Sequence, residues 1–168
     1  VDLVQSAWDD RPGLPTERFG RQCILARRLA EAGVRFIEIT APARWDHHFL
    51  LQDELTKSCA ATDQPIAALL TDLKQRGLLS DTLIIWAGEF GRTPKINNKS
   101  GRDHWQQCYS ALVAGGGFRG GQAIGQSDKK AEYPVARALT PADLFATVLN
   151  QIGIGTTDPT EAGQLDSR

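Results

Sequence analysis

Residues Leu83–Ala87 read LIIWA, an unbroken run of apolar side chains. Successive side chains of a strand point to opposite faces, so such a run has no wet side and asks for cover on both. That requirement predicts a sheet sandwiched between helices, with this segment near its middle. Val34–Thr40 (VRFIEIT) is a second strand by the same test, with apolar residues on both faces. Tyr109–Ala114 (YSALVA) is a third, running into Gly115, Gly116 and Gly117.

Helical periodicity fills the gaps between these strands. Thr16 is a candidate N-cap for a helix running to Ala32, with Gly33 as its stop. Phe19, Cys23, Ala26 and Ala30 form its stripe, widened by Leu25 and Leu29. A long helical pattern runs from about Leu50 to Arg76, with Ile66, Leu69, Leu70 and Leu73 at the i, i+3, i+4, i+7 spacing. Pro65 predicts a break or kink in it, and Gly77 ends it. Thr140-Pro141-Ala142-Asp143 starts a last helix with a cap, a first-turn proline and an acidic third residue, and Gly153 closes that one. The order helix, strand, helix, strand, strand, helix, with long crossovers, predicts an α/β sandwich with a mostly parallel sheet of about three strands between helices. A sheet that small reads as part of a larger one.

Composition narrows the class. The chain has 168 residues, 41% of them hydrophobic and 23% charged, with a net charge of −1. One domain is expected, and the balanced charge gives no electrostatic footprint for nucleic acid. No apolar run reaches the roughly 20 residues that span a bilayer. Residues 1–15 read as a linker or the remnant of an upstream element, 16–154 as the folded part, and 155–168 as a polar tail. The chain starts at Val1 and has no Met, so it is expected to be a piece of a longer protein. Cys23, Cys59 and Cys108 make no C-x-x-C pair and no zinc pattern.

The chemistry-bearing residues gather where strands end, which is where open α/β sheets bind ligands. Asp46, His47 and His48 follow the first strand. Glu89 follows the second directly, and His104 lies in the loop GEFGRTPKINNKSGRDHWQQ that leaves it. In an extended segment Asp46 and His48 point the same way and His47 the opposite way. Asp46 and His48 are therefore candidate ligands of one metal ion; alternatively, Asp46 is the N-cap of the helix that follows. Glu89 faces either a cation or Arg92. His104, beside Asp103, is a ligand, a general acid or a surface residue in a salt bridge. A mixed carboxylate and imidazole set suits zinc, manganese or iron better than a pure oxygen cage. Arg92, Arg102 and Arg119 carry the planar fork that holds oxyanions. GGGFRGG is a flexible loop or an anion cradle of backbone N–H groups. No G-x-S-x-G nucleophile elbow is present.

ERFGRQCILARRL, VRFIEIT, WDHH, TLIIWAGEFGRTP, GRDHW, AGGGFRGGQAIGQSD and TPADLFATVLNQIGI together resemble a bacterial sulfatase-like family of unknown function in the alkaline phosphatase superfamily. The resemblance runs from about Thr16 to Ile154. It implies an alkaline-phosphatase-like sandwich and a metal-dependent hydrolase of sulfate or phosphate esters, of which this chain is the C-terminal portion. It implies Asp46, His48, Glu89 and His104 as metal ligands and Arg92 and Arg102 as anion-binding residues. Zinc or manganese leads as the metal, with calcium or iron next. The nucleophile would lie upstream of Val1, so the fragment alone would be inactive. Phe90 stands where phosphatases of that superfamily place a His and many sulfatases an Asn, which reduces the second metal subsite. The substrate would be a small-molecule or glycan ester, the full-length protein would be periplasmic or exported, and an exposed sheet edge would allow oligomers. Two other readings stand beside it: a non-catalytic binding or assembly protein that keeps the fold, and a cofactor-free α/β domain in which all four candidate ligands are structural.

Overall fold

A computed structural model describes residues 15–41 and 45–155. The chain divides into two compact units. The first comprises the described residues up to Leu79 together with Ile96–Asp103; the second comprises Ser80–Lys95 and the described residues from His104 onward.

The first unit is built on two helices, α1 (Glu17–Glu31) and α2 (Leu51–Gln75). Phe19, Cys23 and Ala26 are buried along α1, as the stripe predicts, whereas Leu25 is exposed. Phe19, Cys23 and Ala68 form the core, with Ile24, Ile66 and Leu69 packed against it. Burial pushes the Cys23 thiol up to about 12, because a thiolate there would lose its hydration. α2 runs through Pro65 without interruption, and Pro65 is itself buried. The expected break is absent: the missing backbone donor costs one helical bond, and burying the ring offsets that loss.

The two helices also share a buried charge cluster. Asp72 is 2% exposed. One carboxylate oxygen lies 2.9 Å from Arg27 Nε and the other accepts from Arg76 Nε at 2.6 Å. Glu31 pairs with both arginines. A buried carboxylate is tolerable only when answered in this way.

Thr16 precedes α1 but makes no side-chain cap bond, since its backbone is already helical (φ −82°, ψ −16°). At the other end, Gly33 N–H donates to Ala30 O and Val34 N–H to Leu29 O. Gly77 and Leu78 close α2 with the same pair of bonds. Both glycines have positive φ, 84° and 72°, the left-handed geometry this stop requires.

The predicted strand at Val34–Thr40 is not found: among the described residues the segment enters no sheet. Ile39 and Ala41 pack on the helical core while Phe36 is 83% exposed. An apolar β-pattern makes a strand only when a neighbour takes its backbone bonds, and within this unit helices supply the packing partner.

The second unit holds β1 (Leu83–Trp86), β2 (Gly91–Arg92), β3 (His104–Trp105), β4 (Leu112–Gly115), β5 (Gln126–Ser127), β6 (Pro134–Ala136) and α3 (Pro141–Gln151). The strands form three two-stranded ladders, β1–β4, β2–β3 and β5–β6, all antiparallel. The fold is therefore mixed α/β, and the mostly parallel sandwich expected from the apolar runs is not found among the described residues. The direction follows from the connection. Trp86, the last residue of β1, faces Leu112, the first of β4. A parallel partner would have to begin beside Leu83; this one begins where β1 ends. LIIW is accordingly half covered, with Leu83 and Ile84 shielded and Ile85 and Trp86 exposed.

α3 starts as its sequence predicts. The Thr140 hydroxyl accepts from Asp143 N–H at 3.2 Å, and the Asp143 carboxylate accepts from Thr140 N–H at 2.7 Å. Gln151 Nε2 donates to Gly116 O and ties the helix to the glycine turn after β4. No helix among the described residues is long and apolar enough to cross a membrane.

Candidate metal centre

The first unit places Asp46, His47 and His48 just ahead of α2, and the Ile96–Asp103 segment holds them there. Arg102 N–H donates to His47 O at 2.9 Å. Leu51 N–H, one of the N-terminal donors that a helix cannot satisfy internally, donates to Ser100 O at 2.8 Å. Gly101 is buried against the backbone of His48 and Phe49, so closely that a Cβ there would overlap the His48 carbonyl. These backbone contacts, made to residues about fifty positions away, set the direction in which the histidines point.

The histidines point to different environments. His47 is buried, with Nε2 3.3 Å from Ser58 Oγ on α2. His48 is part-exposed and stands between two carboxylates: Nδ1 is 2.8 Å from Asp103 Oδ1 and Nε2 is 3.1 Å from Asp46 Oδ1. Asp46 does not cap α2. The N-cap position is Leu50, in the left-handed region at φ 49°, with no side-chain cap bond.

An ionised carboxylate only accepts, and of the two contacts the shorter, at Nδ1, favours that nitrogen as the donor. With one proton on the ring, Nε2 then presents a lone pair toward the Asp46 carboxylate. A cation lying against both atoms makes that arrangement favourable. The same geometry, a histidine ligand whose other nitrogen donates to a carboxylate, recurs at protein metal sites.

The second unit positions His104. In the β2–β3 ladder Arg92 is opposite His104 and Gly91 opposite Trp105. The Phe90 ring packs against His104 at a tilt of 53°, with centroids 4.6 Å apart. Gly91 has no room for a side chain: a Cβ would lie 2.8 Å from Trp105 O and closer still to Cys108 O. Phe90, His104, Trp105, Gln106 and Gln107 line an open hollow of about 340 Å³.

Within the first unit, Asp46 and His48 make a pair that could hold a metal ion. Glu89 and His104 belong to the second unit. The Glu89 carboxylate accepts from Arg92 Nη2 at 3.0 Å, so of the two partners open to Glu89 in the sequence the structure shows the arginine. Arg92 also lies over the Phe90 ring, 5.2 Å from its centroid. Arg102 is half-buried, and its Nε makes no hydrogen bond.

Sequence reasoning missed two residues that shape the site. Asp103 was considered only as a partner for its neighbour His104, yet it pairs with His48. Asn97 was read only as part of a polar loop, although N-N-K-S-G is a turn signal. Which distant residue that turn would meet has no local signature.

No curated protein and no solved structure matches the chain. The resemblance to a sulfatase-like family in the alkaline phosphatase superfamily is overturned, because the comparison with protein families returns neither. The family model that does match covers residues 4–165, and the chain belongs to that family, described as a protein of unknown function (DUF1501).

Proposed function

We propose that Asp46 and His48 bind one divalent metal ion and that the protein uses it to hydrolyse a phosphate or sulfate ester. The observation that carries the reading is the pair of contacts at His48, one carboxylate on Nδ1 and another beside Nε2. One imidazole and one carboxylate leave coordination positions for water or substrate, as open zinc sites do. Zinc or manganese fits that set best. Such an ion would supply Lewis-acid polarisation of the ester and a more acidic bound water. Arg92 and Arg102 carry the guanidinium fork that would take an anionic oxygen.

Elemental analysis and zinc titration by calorimetry test this. Near-stoichiometric metal is expected in the wild type, with loss in His48→Ala and Asp46→Ala. Retention is expected in Glu89→Ala, whose carboxylate is held by Arg92. A folded wild-type protein that takes up no metal would overturn the site. Stoichiometric metal without turnover across phosphate and sulfate esters would keep the site and remove the hydrolase, leaving a metal-binding module.

A further inference from the structure

We propose that Asp103 and Asn97 act as positioning residues that hold the proton of His48 on Nδ1 and so present Nε2 to the metal ion. The inference rests on the reading of His48 as a ligand.

Asn97 uses its whole side-chain amide. Nδ2 donates to Asp103 Oδ1 at 3.1 Å and to His48 O at 3.0 Å. Oδ1 accepts from Lys99 N–H and Gly101 N–H, both at 2.9 Å. The orientation of the amide is thereby unique. Turned over, it would set its oxygen against two acceptors and its NH₂ against two donors. One nitrogen thus fixes both the carboxylate that receives the His48 proton and the backbone that carries the His48 ring. Asp103 Oδ1 then has two donors, Asn97 Nδ2 and His48 Nδ1, which keeps its lone pairs aimed at the ring.

A carboxylate in this place matters to affinity, since losing such an outer partner weakens metal binding by about 10–100-fold. Asn97→Asp is the more specific probe. It keeps the acceptor for Lys99 and Gly101, so the turn is retained, while it removes both donors and sets a second anion beside Asp103.

The test joins two readouts on the full chain. Long-range nitrogen–proton NMR of the metal-free protein, above the usual imidazole range, reads the His48 tautomer. Zinc titration reads affinity. The expected result is an Nδ1–H tautomer in the wild type, and mixed or Nε2–H populations in Asp103→Ala and Asn97→Asp. Zinc affinity in both variants should fall by about 10–100-fold with an unchanged backbone spectrum elsewhere. An Nε2–H tautomer in the wild type would overturn the inference. So would zinc binding in both variants within about twofold of wild type, against the loss that outer-partner removal normally brings; if His48→Ala still abolished binding, the metal reading would survive. An Nδ1–H wild type that binds no zinc would leave the positioning intact and remove the metal reading.

Discussion

A single methyl group at residue 101 should dislocate the candidate site. Gly101 is buried, and an added Cβ would overlap the carbonyl of His48 and the amide of Phe49. All the conflicting atoms are backbone, so no side chain can swing away; relief requires moving one segment by roughly an ångström. The bonds at risk surround the residue: Gly101 N–H to Asn97 Oδ1, Asn97 N–H to Gly101 O, and Arg102 N–H to His47 O, each 2.9 Å. Overpacking costs about 1–3 kcal/mol, and losing or stretching two of these bonds adds about 1 kcal/mol each. Gly101→Ala is therefore expected to destabilise the first unit by about 3–5 kcal/mol. Urea denaturation measures the loss, and amide exchange locates it at Arg102 and Leu51, whose N–H groups bridge the two segments. Gly120→Ala is the control, with nothing within 4 Å of the added carbon. A Gly101→Ala protein within about 0.5 kcal/mol of wild type, the range of an ordinary surface substitution, would refute the close-approach argument.

Two further outcomes follow from the helices. Asp72→Ala leaves Arg27 and Arg76 without their shared carboxylate, and urea unfolding should show a loss of about 3 kcal/mol; a loss below about 1 kcal/mol would mean the pairs behave like surface pairs. At the start of α3, Thr140 N–H and then the Thr140 hydroxyl hold the Asp143 carboxyl below the usual carboxylate range. A depressed folded-state pKa contributes stability above the unfolded carboxylate range and loses it as pH falls through the folded value. The difference in Tm between wild type and Asp143→Ala should accordingly be open near neutrality and close in acid, and a gap independent of pH would contradict this. Thr140→Ala should cost about 1 kcal/mol in the same thermal melts.

Much of the local structure was legible in the residues. Phe19, Cys23 and Ala26 mark the buried side of α1, and Gly33, Gly77 and Gly153 lie where the helices stop. The Thr140–Asp143 box forms as spelled. Two local expectations held only in part: Thr16 is the N-cap residue of α1 but makes no side-chain cap bond, and α2 continues through Pro65 without a break. In each case what decided the outcome was outside the motif, backbone geometry at Thr16 and burial at Pro65.

The sequence by itself determined where helices begin and end and which residues carry chemistry, because capping and periodicity act over a few residues. It also set Asp46 and His48 two apart, and in the structure their side chains meet at 3.1 Å. Only the tertiary structure decided the direction of the strands and the partner of each charge. LIIWA reads as well in a parallel sheet as in an antiparallel pair, and it was the return of the chain at Trp86 that chose the latter. Asp103 adjoins His104 in the sequence but pairs with His48, and Glu89 pairs with Arg92. Hydrogen bonds and ion pairs depend on distances of a few tenths of an ångström, and for residues fifty positions apart only the packed backbone sets those.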